Sequence, residues 1–188
     1  MNWLWAVYDR WYAGGEVNHA ANNGHDPGGH TAYAHRLIKA GANVNQTDKR
    51  GVTALLAACR NGDYFRVLHL IEARANVNQT DNNGWAALMC ACVNGHDPCV
   101  LPLIKAGADL DKANNEGNTA LMLACHRGHN QCALQLINAG ANVDVGVTTA
   151  LMWACCKNHE QCALQLIKAG ANVHHADHIG WTALIMAC

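Results

Sequence analysis

The chain has 188 residues, enough for one or two domains with a buried core. Only 14% of them are charged, and 13 Lys and Arg against 14 Asp and Glu leave a net charge of −1. No global field remains to attract nucleic acid or an anionic membrane, which argues against both as partners.

Ten cysteines would suit a disulfide scaffold in a short secreted chain. The start of this chain does not read as a secretory signal. It has no basic beginning, carries Asp9 and Arg10 where an apolar core should run, and is too short to span a bilayer. Free thiols in a reducing cytoplasm or nucleus are the expectation.

In chain order, residues 1–12 read as a helix with Trp3, Leu4, Val7, Tyr8 and Trp11 on one face. Ala13-Gly14-Gly15-Glu16-Val17-Asn18 and Asn22-Asn23-Gly24 look like the polar loop of a partial unit, whose first helix is deleted or replaced by Asp26-Pro27-Gly28-Gly29. From there a repeat takes over. Ala40-Gly41-Ala42-Asn43-Val44-Asn45 returns as Ala73-Arg74-Ala75-Asn76-Val77-Asn78, and again from Ala106, Ala139 and Ala169, in steps of 33, 33, 33 and 30 residues. A second marker keeps the same beat: Thr53-Ala54-Leu55, Ala86-Ala87-Leu88, Thr119-Ala120-Leu121, Thr149-Ala150-Leu151 and Thr182-Ala183-Leu184.

Each unit predicts two short helices and a polar loop. In one unit, Ala120, Leu121, Leu123, Ala124 and Cys125 make a helix that Gly128 can end in the left-handed conformation. His129 then opens a second helix with Cys132, Leu136 and Ile137 at helical spacing, closed by Gly140. Neither helix is long enough to stand alone, so neighbours must share a buried face.

A unit of 33 residues with turn, helix, Gly-His, helix and Gly-Ala resembles the ankyrin repeat over roughly residues 30–188. Gly95-His96 and Gly128-His129 match that family's inter-helix turn, and Asn158-His159 departs only mildly, since Asn tolerates positive φ. The resemblance implies an all-α solenoid of stacked helix-turn-helix units with β-hairpin finger loops. It divides the chain into a divergent capping segment with a partial repeat, 1–29, and a repeat array, 30–188, whose last repeat is truncated.

Departures from the family pattern carry expectations of their own. The Thr-Pro-Leu-His start of helix one is altered, with Ala for Pro and Leu56, Met89, Met122, Met152 and Ile185 for His. The hydrogen bonds that this Thr and His give the family are expected to be missing, with stability below that of a consensus array. Pro98 is expected at the first position of a helix, where it is favourable, and Pro102 inside it, where it costs about 3 kcal/mol. Gly140 to Thr149 spans nine residues where Gly107 to Thr119 spans twelve, so the finger around 145–148 should be blunted.

Catalytic and metal signatures are weak. Cys59, Cys92, Cys125, Cys155 and Cys188 share one repeat position and Cys99, Cys132 and Cys162 another, as small buried residues would. Cys90 and Cys156 stand outside both ladders. No Cys-x-x-Cys pair occurs, and the chain contains no Ser at all. No metal, no cofactor and no reaction are expected.

In ankyrin-like arrays the finger tips and the exposed side of helix one line a concave binding face. The resemblance therefore places a partner protein or extended peptide on Lys49, Arg50, Val52, Arg60, Asn82, Asn83, Trp85, Val93, Asn118, His126, Arg127, Lys157, Ile179 and Trp181. Two readings stand for Trp85 and Trp181: interface anchors, or packing against the neighbouring finger. The mixture of Arg, Lys, Asn and Trp suggests a partner with some acidic character. Two rival functions remain open: a recognition module of a larger enzyme or of a kinase or ubiquitin-ligase adaptor, and a hydroxylation substrate through asparagines such as Asn45 and Asn78, which resemble those modified in ankyrin proteins.

Overall fold

The computed structural model describes residues 36–188. The capping helix expected at 1–12, the loop at 13–24 and the Asp26–Gly29 replacement lie outside the described residues. After a helical stretch at 36–39, the helices come in pairs: α1 (Ala54–Asn61) with α2 (Tyr64–Glu72), α3 (Ala87–Val93) with α4 (Asp97–Lys105), α5 (Ala120–Arg127) with α6 (Asn130–Asn138), and α7 (Ala150–Cys156) with α8 (Glu160–Lys168). α9 (Ala183–Ala187) follows.

The helices form two layers. α1, α3, α5, α7 and α9 pack side by side in one row, while α2, α4, α6 and α8 form the second. Leu55, Leu88, Leu121 and Leu151 are sealed between units of the first row, as are Leu56, Met89, Met122 and Met152. Val67, Val100, Ala133 and Leu70, Leu103, Leu136, Leu166 do the same for the second. Each buried Leu contributes about 1.5–3 kcal/mol, and it does so only because the next unit is there to cover it.

The Thr expected to have lost its hydrogen bond has kept it. Thr53, Thr119, Thr149 and Thr182 cap their helices by accepting from the main-chain N–H groups of Leu56, Met122, Met152 and Ile185, at 3.2–3.4 Å. The substitutions at Pro and His leave the Thr hydroxyl where it was, so the expected loss falls on the His alone. Ala86, at the same position, has no hydroxyl and α3 starts uncapped. The start of α4 also differs from expectation: His96 is the cap residue and Asp97 the first helical one, which puts Pro98 a position later. Pro102 sits inside α4, which nonetheless runs on to Lys105.

Fingers project from the N-terminal ends of the first-row helices. Isolated antiparallel bridges pair Thr47 with Thr53, Thr80 with Ala86, Ala113 with Thr119 and Ala176 with Thr182. A side-chain oxygen fixes each turn. Asp48, Asp81, Asn114 and Asp177 each accept from the main chain two and four residues ahead, at 2.8–3.0 Å. At the finger bases a second ladder crosses between units, with Asn45, Asn78, Asp111 and Asp144 accepting from the N–H groups of Asn76, Asp109, Asn142 and Asn172.

Three outcomes are expected. Ala86→Thr should supply the missing cap and raise stability by about 1 kcal/mol, while Thr119→Ala should lower it by a similar amount. Leu121→Ala, which opens a cavity between two units, should cost about 2–5 kcal/mol. Urea denaturation followed by circular dichroism measures all three.

Candidate functional site

The second row closes one side of the first and leaves the opposite side open. Position by position, that open side carries Arg60, Val93, His126 and Cys156, then Asn61, Asn94, Arg127 and Lys157, with the partly exposed Ala57 and Trp153 beside them; Cys90 and Leu123, at the repeat position of Ala57 and Trp153, are buried. The fingers stand at one end of this surface and the inter-helix turns at the other.

The finger residues divide by burial. Lys49, Asn82, Asn83 and Ile179 face solvent, and Trp181 is 47% exposed. Val52 does not belong with them: it is 7% exposed and lies in the core, because its small branched side chain turns inward beneath its finger. Trp85 and Val93 are half-buried against the core, so packing accounts for much of their surface. Arg50, Arg60, Asn118 and His126 are half-buried, and Arg127 and Lys157 are exposed. Asn82 is tied to the preceding finger through its side-chain amide, which donates to the Lys49 carbonyl at 3.2 Å.

Trp153 is the residue that sequence reasoning left out. It is half-buried on the open side, and its ring meets the edge of His126 at 4.7 Å between centroids and 85° between planes. Its position is held by Ala57, Cys90, Leu123 and Met186 in the other units. The departure from that small or aliphatic series was the available signal.

The turn histidines form a ladder below. Nε2 of His96, His129 and His159 donates to the carbonyls of Arg60, Val93 and His126 in the preceding unit, at 3.1–3.2 Å. Donation to a carbonyl requires the proton on Nε2. His126 is pushed below the ordinary 6.5 by burial and by Lys157, Arg127 and His159; burial also lowers His129, against the bond to Val93.

The cysteines are free, and most are sealed. Burial lifts Cys90 and Cys99 to about 11 and holds Cys59 high. Cys92 and Cys125 are raised by donating hydrogen bonds to Cys132 and Cys162, and then by burial; the two acceptors are lowered by the same bonds. The shared ladder position is buried at Cys59, Cys92 and Cys125 but not throughout. Cys155 is half-buried, and Cys188, like Cys156, is exposed. Among the described residues, no three of His, Cys, Asp and Glu gather as a metal site would need, and no helix is long and apolar enough to cross a membrane. Asn45 and Asn78 sit in the base ladder, and the Asn78 amide also donates to the Gly107 carbonyl at 3.0 Å.

Paired short helices, two stacked layers and finger loops define a solenoid repeat protein. A family model described as ankyrin repeats (3 copies) matches residues 18–114 and 103–177. The chain belongs to the ankyrin-repeat family, whose repeats are protein–protein interaction modules. No curated protein matches the chain.

Two predictions follow from the titrating groups. His126 and His129 bind protons more readily unfolded than folded, so stability should be complete above about pH 6.5 and fall as pH drops through that value. Scanning calorimetry at about pH 7.5 and about pH 5.5 should show the loss, and His126→Gln/His129→Gln should reduce it. Under native alkylation, iodoacetamide should label Cys156 and Cys188 while Cys59, Cys90, Cys92, Cys99 and Cys125 react only after denaturation; peptide mapping would expose labelling at Cys90 as a contradiction.

Proposed function

We infer that this chain is a non-catalytic scaffold that binds a partner protein through its fingers and the open side of its first helical row. The observation carrying this reading is the asymmetry of the two layers. One side of the first row is covered by the second row, while the other presents Arg127, Lys157 and the His126–Trp153 contact. Raised, buried thiols fit a reducing, intracellular setting and offer no activated nucleophile at Cys59 or Cys90. Lys49, Asn83, Ile179 and Trp181 extend the proposed surface to the finger tips.

Affinity capture from cell extract, quantified by mass spectrometry, should compare the wild type with Arg127→Glu/Lys157→Glu and with Lys168→Glu on the second row. The captured proteins should fall away for the double variant and persist for Lys168→Glu, with all three proteins folded at the temperature of capture. An identical set of captured proteins for all three would contradict it.

A further inference from the structure

The finger row is interrupted, and the interruption opens over the first helical layer. Three fingers form one hydrogen-bonded series: the Asn82 N–H donates to the Arg50 carbonyl at 2.9 Å, and the Asn115 N–H to the Asn83 carbonyl at 3.1 Å. Among the described residues, no main-chain donor reaches the next carbonyl in the series, Glu116. The glycines record the same break. A methyl group at Gly51 or Gly84 would strike the Asn82 or Asn115 side chain of the following finger at 2.7 Å, whereas one at Gly117 would meet nothing within 4 Å.

The short loop does not fill that place. It lies on the first-row helix beneath it: a methyl group at Gly146 would meet Met122 Cε at 2.7 Å, and the Val147 carbonyl accepts from His175 Nε2 at 2.9 Å. Val147 remains 40% exposed. Below the gap, Trp153 stands against His126, and Arg127 and Lys157 are exposed at the helix ends. Among the described residues, the ion pair present is Arg66–Asp63, on the second row, so neither Arg127 nor Lys157 has an acidic counterpart among them.

We propose that the gap left by the shortened finger is a docking slot for an extended segment of a partner protein, which lays an apolar side chain on Val147 and Trp153 and a carboxylate on Arg127 and Lys157. The proposal rests on the protein-binding function above and specifies its chemistry. An extended main chain supplies the N–H that the Glu116 carbonyl lacks, as a fourth long finger would have done. α5 is about 12 Å long, so about four extended residues span from the finger gap to Arg127. Charge fixes the direction. Glu116 at the finger end disfavours a carboxylate there, and the cations at the other end attract one. Cations at helix C-termini also favour the helix itself, so the test must separate binding from folding.

Selection of random displayed peptides of about a dozen residues on the whole chain tests the slot without knowledge of the natural partner. The enriched peptides should pair an aromatic or aliphatic residue with Asp or Glu a few positions away. Their affinity, by fluorescence anisotropy, should fall about tenfold or more for Arg127→Gln/Lys157→Gln. It should fall equally when three residues are inserted after Gly146 to restore a full-length finger, and both variants should still unfold cooperatively, with at most a small drop in melting temperature. Enriched basic or uncharged peptides, or acidic ones that bind the insertion variant as well as the wild type, would overturn the slot. So would the absence of any enriched peptide. Loss of captured proteins with Arg127→Glu/Lys157→Glu, alongside a failed selection, would retire the slot and leave the wider binding function standing.

Discussion

Everything in this protein depends on one constraint: each helix is too short to persist alone and finds its apolar cover only in the next repeat. Five to nine residues give fewer than three turns, below the length at which a helix is stable in water. Leu88, Leu121 and Leu151 are buried because identical neighbours lie on both sides. The register of 33 residues is the chemical expression of that requirement, since a side chain must recur at the same point of every unit to meet its counterpart. Such packing tolerates substitution where volume and polarity are kept. Cys at a helical ladder position then needs no redox or metal chemistry to explain it.

The same constraint separates what can change from what cannot. The helical rows run unbroken past the unit in which three residues are missing, because the deletion falls outside the stacked faces. The fingers are held by short-range turns and by a pair of hydrogen bonds to the preceding finger, so their loss is local. An array can thereby alter its surface without altering its core. That separation is what allows the open side of the first row to be read as a binding surface, and the interruption at 145–148 as a specific place on it.

Much of the fold was legible in the sequence because stacking imposes a period, and two markers in step revealed it. The errors came where one residue escaped its pattern. Loss of the Pro and His suggests loss of the Thr cap beside them, although a cap needs only its own hydroxyl and an extended backbone. Val52 was placed on the surface because Trp85, Asn118 and Trp181 share its position, yet burial there depends on side-chain size and direction, which the period does not encode. Trp153 went unnoticed because its position is otherwise small or aliphatic and looked like core. Which side of a short helix is covered by its neighbours is a property of the stack, and the sequence of one unit does not reveal it.

The central claim is that the helical layers are continuous while the finger row is broken between residues 117 and 149. Native-state hydrogen exchange, resolved to individual amides by NMR, tests it directly. Amides within 120–127 and 150–156 should exchange at similar slow rates, the Asn82 and Asn115 amides should be measurably protected, and those of 145–148 should exchange far faster. Equal protection of 145–148 and the long fingers, or a sharp drop in protection between α5 and α7, would contradict the account.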